Sequence, residues 1–534
     1  MSVEETQTEQ PSLVTQSAWL MFAKVVGFVL SFVLPIMVFR TLSKADIGIY
    51  NQVFLVIVTV SGVLPFGVSM SAFYFLSREK ERRRFYIFNI LLFNFVVGGL
   101  ACVFFNFYPQ ILEDIFKDAE MKQFAPQIGL VIWLWVFSMF LEVVAIANQE
   151  ARLATAFIIL AQLTKAVFMI SAVYFWGTVG AMLNAATIQA ITQTIVLLIY
   201  LNSRFKGFWH SFDKDLFFQH LKYALPFGFA GILWILQTEV HNYFIGYRFS
   251  PEEVAIYRAG CFQLPLLILL YESISSVMIP RMSQLQAEGK HREMIELTAR
   301  AMEKISLIYF PTYVFFFITA YTLLTTLFTK NFAESIPIFL INITLLPFYI
   351  LITDPIVRAF ESLGRFILKV RIVIVILLLL TLYYGIQHFD LKGMITIVVV
   401  TSLIDRFVSL GKIWKTIGAK FSDIHLLKNV GKIAIASIIA GIPTYFVYSW
   451  VKLHTPDLAH EISILFFDKL KQSWVEVISG GIALGFTALI FSPVYLICIY
   501  LFGVISEAEK GFVLRKLESI GKKIGFGSRT GTQD

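Results

Sequence analysis

The chain has 534 residues, of which 57% are hydrophobic and 15% charged, with 53 Phe and a formal net charge of +8. Charged residues make up about a quarter of a typical soluble domain. This composition therefore excludes an ordinary soluble enzyme or a nucleic-acid-binding domain and specifies a membrane protein.

A membrane-spanning helix needs about 20 mostly apolar residues. After a polar tail, 1–12, such runs fall at 13–39, 47–76, 85–107, 127–148, 153–175, 179–201 and 221–247. The series continues at 255–280, 301–328, 335–358, 366–387, 393–415, 430–451 and 474–503. The fold class is thus an all-α polytopic membrane protein of about fourteen transmembrane helices. The first run is long, lacks a basic leader and has no small-residue cleavage site, so a retained span is expected there. Between the last two runs, 452–473 is aqueous, and its half-apolar piece Ile462–Leu470 is expected as a short helix on the membrane surface. Cys102, Cys261 and Cys498 lie in apolar runs as small hydrophobes, with neither disulfide nor metal-ligand spacing.

Loop charge sets the orientation. Lys and Arg concentrate in loops that stay in the cytoplasm. With the N-terminus inside, alternate loops hold 31 of the 44 Lys and Arg, and the opposite loops hold eleven. The remaining two, Lys24 and Lys165, lie within runs. Both termini are predicted cytoplasmic, and the net positive charge follows from orientation rather than from a nucleic-acid partner.

The sequence also repeats itself. Ser43-Lys44-Ala45-Asp46-Ile47-Gly48-Ile49-Tyr50 follows the first run, and Ser250-Pro251-Glu252-Glu253-Val254-Ala255-Ile256-Tyr257 follows the seventh. Each comes just after an arginine, Arg40 or Arg248, and each reads as a capping box, Ser at the N-cap with an acid three residues on. The spacing fits six helices per half, in one orientation, as in transporters built from parallel repeats. The expected domains are a cytoplasmic tail (1–12), an N-lobe (13–204), a linker (205–220), a C-lobe (221–416), two accessory helices (417–504) and a cytoplasmic C-terminal tail (505–534).

Ionisable groups inside a span are costly and usually face protein or a wet cavity. Lys24, Glu142 and Lys165 lie in the N-terminal half. Glu239, His241, Arg258, Glu272, Asp354, Arg358, Asp405 and Arg406 lie in the C-terminal half. Structural readings compete for several of them. Glu142 and Lys165 could pair with one another. Asp354 and Arg358 have the i,i+4 spacing of an interfacial pair, and Asp405–Arg406 suit packing. His241 suits a polar anchor, and Arg258 could snorkel to the surface. Lys24, Glu239 and Glu272 sit deep in apolar runs, with Gln237, Asn242 and Gln263 nearby in sequence. Pro35, Pro65, Pro226, Pro265 and Pro280 interrupt the same runs and free backbone groups that need partners. Together they predict a polar central cavity whose cations suit an anionic head group. Lys24, Lys165, Arg258, Gln237 and Gln263 are the candidate substrate contacts, and Glu239 and Glu272 the candidate ion-coupling groups.

No Walker A sequence, dinucleotide fingerprint, HExxH or GxSxG occurs, so neither a cofactor nor an enzyme activity is expected. The outer loops, 108–126 and 452–473, are short for a glycan polymerase or ligase. The stretch Thr15–Tyr50, ending Arg40-Thr41-Leu42-Ser43-Lys44-Ala45-Asp46-Ile47-Gly48-Ile49-Tyr50, resembles the opening of polysaccharide biosynthesis flippases. These are the O-antigen type (Wzx-like) members of the multidrug/oligosaccharidyl-lipid/polysaccharide exporter superfamily. The helix count and duplicated half extend the resemblance, and the last two runs look like the added pair of fourteen-helix members. The resemblance implies a bacterial inner-membrane flippase with a rocker-switch mechanism and a cationic cavity. It also implies a polyprenyl-diphosphate-linked glycan as substrate, with Lys24 and Arg258 as diphosphate contacts. Membrane lipids surround it, and a glycan polymerase or ligase of the same pathway is the implied protein partner. The alternative reading is a multidrug/cation antiporter of the same architecture, with Glu239 and Glu272 holding a cationic drug.

Overall fold

The computed structural model describes residue 27 and residues 33–466 and 472–504. Lys24 and the greater part of the first run lie outside these residues. Among the described residues the fold is helical without strands, and twelve segments are long and apolar enough to cross a bilayer. The chain is therefore a multi-pass membrane protein. The seventh run is a helix of 35 residues, Lys214–Arg248, but it is not among the twelve. Gln237, Glu239, His241 and Asn242 dilute its apolar character.

Four of the expected runs are broken rather than continuous. The second is α1 (Lys44–Val63) followed, after a turn, by α2 (Ala72–Arg78). Pro65 and the left-handed Phe66 (φ 47°) and Gly67 (φ 73°) separate them. After α3 (Arg83–Phe107) and the short α4 (Gln110–Phe116), the fourth run splits into α5 (Ala125–Ser138) and α6 (Phe140–Ala147). Next come α7 (Ala151–Phe175), α8 (Val179–Arg204) and α9 (Lys214–Arg248). The eighth run is α10 (Pro251–Gly260), a non-helical stretch at 261–264, and α11 (Pro265–Ala287). After α12 (His291–Phe328), the tenth run divides into α13 (Ile336–Ile343), the 3-10 turn Leu346–Ile350 and α14 (Asp354–Ala359). Proline stands at the start of two later pieces, Pro265 in α11 and Pro355 in α14, where its missing N–H costs nothing. The broken runs are the second and fourth of each expected six-helix set, so the repeat read from the sequence recurs in the backbone breaks. Pro226 and Pro280, by contrast, lie within continuous helices.

The last elements are α15 (Glu361–His388), α16 (Leu391–Thr416), α17 (Lys428–Phe466) and α18 (Gln472–Leu501). Because α17 continues to Phe466, the stretch after 451 extends that span instead of forming a separate surface helix. Residues 467–471 lie outside the description.

Two compact units arise. One comprises the described parts of 1–272, 324–342 and 361–409; the other comprises 273–323, 343–360 and the described parts of 410–534. They do not coincide with the six-plus-six division read from the repeat.

In the first unit the two repeated helix starts meet. Ser43 caps α1 by accepting from Asp46 N–H at 3.1 Å. Ser250 caps α10 in a complete reciprocal box, with Glu253 accepting from Ser250 N–H at 3.0 Å. The aspartate of the first copy, one methylene shorter, makes only the hydroxyl contact with Ser43. A methyl group at Gly48 would lie 1.8 Å from the Pro251 carbonyl oxygen, so only glycine permits this approach of α1 to α10. At the same end, Phe116 from α4 lies against Gly246 of α9 and stacks on Tyr243 at 6.0 Å. Arg40 donates to the Thr326 carbonyl at 2.5 Å.

In the second unit, α12 holds α17 and α18. Tyr495 donates to the Leu307 carbonyl at 2.8 Å, Thr322 bonds Tyr448 at 2.8 Å, and Asn429 donates to Glu303 at 3.2 Å. Ile433, Ala436, Phe491 and Tyr495 pack between the helices, with Leu307 and Phe310 against them. Asp423, in the 3-10 turn Phe421–Leu427, accepts from Lys420 N–H at 2.8 Å and pairs with Arg292.

Two outcomes are expected. Gly48→Ala destabilises the protein by about 1–3 kcal/mol through overpacking, read as a lower melting temperature, whereas Gly180→Ala, whose added methyl meets nothing within 4 Å, does not. The Lys420 N–H and the Arg292 guanidinium hold Asp423 below the usual carboxylate range. The stability this contributes is full above the unfolded-state pKa and is lost as pH falls through the depressed folded value. Amide protection factors at 417–427, referenced to the intrinsic exchange rate at each pH, should fall on acidification in the wild type and be low at every pH in Asp423→Asn.

Candidate functional site

Polar groups at bilayer depth must find partners within the protein or in a wet space. Helix α9 brings most of them into the first unit. Gln237 donates its amide to Asp405 Oδ2 on α16 at 3.1 Å. Two residues on, Glu239 Oε2 faces Arg258 Nη1 of α10 at 3.5 Å and accepts from Asn242 at 3.0 Å. The Glu239 and Arg258 side chains are 31% and 33% exposed, so the pair is open to a third party rather than sealed. His241 Nδ1 bonds the Tyr257 hydroxyl at 2.9 Å, and the Tyr243 hydroxyl bonds Thr59 of α1. Arg371 of α15 lies over the Trp234 ring of α9 at 5.4 Å. Two acceptors, Gln237 Oε1 and Asn242 Oδ1, are buried with no hydrogen-bond partner among the described residues. Such groups favour an incoming donor.

A second cluster lies on α5, α7 and α8. Lys165 Nζ sits over the Trp135 ring at 5.1 Å. The indole N–H donates to Gln189 at 2.9 Å, and Gln189 donates onward to Gln193 at 2.9 Å. The amide chain fixes the ring, and the ring holds the ammonium by its π face. Lys165 forms no ion pair among the described residues, so the expected Glu142–Lys165 pair is not present.

Of the candidate contacts, the structure therefore joins Arg258 to Glu239, and Gln237 to Asp405, and puts Lys165 on Trp135. Gln263 is exposed in the break between α10 and α11, and Glu272 is exposed on α11. No hydrogen bond or ion pair joins Gln263 to the α9 cluster among the described residues. Lys24 lies outside the described residues; Gly27 of the same run is buried, with Gln162 of α7 3.1 Å from its Cβ position. Asp354 and Arg358 do form the anticipated exposed pair, at 2.9 Å. Asp405, Trp135, Trp234 and Arg371 are the members that sequence reasoning assigned to packing or passed over.

In the second unit an apolar groove of about 490 Å³ runs between α12 and α17. Tyr313, Phe317, Ile438, Ile442 and Phe446 line it, and Gly441 lets the helices approach.

A family model described as polysaccharide biosynthesis protein matches residues 17–337. No curated protein matches the sequence. Among solved structures, the lipid II flippase MurJ in an inward closed conformation superposes with a TM-score of 0.65 at 15% identity, covering 92% of this chain and 98% of that one. An inward-facing multidrug resistance MATE family transporter of the MOP superfamily gives 0.59 at 14% identity, over 74% of this chain and 95% of the other. A MOP superfamily transporter from Pyrococcus furiosus, described as having a binding pocket of reverse polarity, gives 0.55 at 16% identity, over 76% and 95%. At these identities the likeness is one of fold.

The Gln237–Asp405 contact yields a stability prediction. Gln237→Leu leaves a half-buried carboxylate without its amide donor and should cost about 1 kcal/mol. Adding Asp405→Leu should recover part of that loss in a melting-temperature double-mutant cycle; strictly additive effects would show that the two side chains are uncoupled.

Proposed function

Because the chain belongs to the polysaccharide biosynthesis protein family, we propose that it is a flippase of the multidrug/oligosaccharidyl-lipid/polysaccharide exporter superfamily. Its cargo is a polyprenyl-diphosphate-linked oligosaccharide, moved from the inner to the outer leaflet of the bacterial cytoplasmic membrane by alternating access. The observation that carries this reading is Lys165: a cation inside a span, held by a π face, with no protein carboxylate paired to it among the described residues. A surplus positive charge in a low-dielectric setting is best balanced by an anion from the cargo. Arg258, already neutralised by Glu239, can turn to a phosphate when the pair opens. Lys24 is added on the strength of the motif in which its run takes part.

The two lobes of this mechanism are residues 13–204 and 221–416, with 417–504 as the accessory pair. The Gly48–Pro251 approach supports a closed gate at the outer end, as loop charge orients the chain, with both termini in the cytoplasm. Asp405, whose partner among the described residues is an amide and not a cation, suits a coupling ion better than Glu239, whose charge is met by Arg258. Membrane potential adds about 2.3 kcal/mol per charge per 100 mV in favour of moving an anion outward. The α12–α17 groove has the chemistry of a surface for an aliphatic chain. The same Asp405, together with the likeness to a multidrug transporter, favours the second reading, a cation-coupled drug exporter.

One experiment separates them. A deletion strain carrying Lys165→Ala should lose surface glycan by about tenfold to a hundredfold, the worth of one charge-assisted contact. Lys165→Arg should restore part of the signal. Drug susceptibility should not change. Full glycan display in Lys165→Ala and Lys24→Ala strains, with altered drug tolerance, would replace the flippase by the exporter.

A further inference from the structure

The connection between α16 and α17 is short, pinned and two-faced. Its 3-10 turn, Phe421–Leu427, is held on one side by Asp423, whose carboxylate takes the Lys420 N–H and Arg292 and is 9% exposed. With that side fixed, the opposite side turns outward. Phe421 is 87% exposed and Ile424 46%. Lys415, Lys420 and Lys428 are exposed around them. The Trp414 ring lies 6.3 Å from that of Phe421. The chain enters the turn from one bilayer-crossing segment and leaves it into another, so the turn sits at head-group level.

A Phe ring and an Ile side chain exposed to water among lysines are costly, and the pinned turn cannot tuck them in. At a membrane surface both demands are met: the apolar side chains enter the acyl boundary and the ammonium groups stay at the phosphates. We propose that this turn is a docking surface for anionic phospholipid in the leaflet it faces. Charge selects that occupant. The 505–534 tail is itself net basic, with Lys510, Arg515, Lys516, Lys522, Lys523 and Arg529 against four acids, and a second copy would bring like charges together. The proposal is independent of what the protein transports.

The test uses the full chain with Cys102, Cys261 and Cys498 replaced by Ala and Ser422→Cys carrying a fluorophore. It is reconstituted in vesicles in which either phosphatidylglycerol or phosphatidylcholine bears brominated, quenching acyl chains at equal mole fraction. Phosphatidylglycerol should quench preferentially, because each surface lysine raises association with an anionic lipid by about fivefold. Lys415→Gln, Lys420→Gln and Lys428→Gln together should abolish that preference. Lys206→Gln, an exposed charge elsewhere, should leave it intact. Phe421→Ser should weaken quenching by both lipids. Equal quenching by the two lipids in the parent, or a preference that survives the triple variant, would overturn the proposal, as would a tail or partner protein protecting the label from both.

Discussion

The closest constraint in the first unit is a steric one: the start of α1 and the start of α10 touch backbone to backbone. A glycine on one helix and a proline carbonyl on the other leave no room for a side chain. In lipid, where apolar side chains gain nothing from meeting one another, close backbone approach through small residues is what holds helices together. The contact joins the two copies of the repeated motif. The capping serines and their acids satisfy the N–H groups that both helix starts would otherwise present to one another. The Phe116 insertion and the Arg40 bond to Thr326 lie at the same end and depend on that register.

Deeper in the unit the currency is charge. The carboxylates and cations of α9 and its neighbours are neither freely solvated nor fully paired. Among the described residues Glu239 has Arg258, Asp405 has an amide, and Lys165 has an aromatic face. A buried network satisfied throughout would be rigid and inert. Among the described residues the α9 cluster keeps two buried acceptors without hydrogen-bond partners, and the separate α5–α7–α8 cluster keeps a cation without a counter-ion.

Much of this was legible in the sequence. Hydropathy marks the spans because a bilayer demands apolar length. Lys165, Gln237, Glu239 and Arg258 stand out because polar residues are rare in apolar runs. Their partners do not. Asp405 lies 168 residues from Gln237, and Trp135 and Trp234 look like ordinary lipid-facing residues until a cation is found above them. The breaks were half visible. Pro65 and Pro265 pointed to them, but Pro226 and Pro280 carry the same signal within unbroken helices. The prolines differ in whether the chain around them has another way to satisfy its backbone, and that is a tertiary property. Length misled at α17, where hydropathy ended the span near 451 although the helix continues.

The ten residues of α10 rise about 15 Å, half the hydrocarbon thickness. A segment of that length cannot reside in a bilayer alone. Its place is conferred by α1, made some 200 residues earlier in the chain. That contact cannot form until both copies of the motif have been synthesised, and forming it closes a loop of some 200 residues.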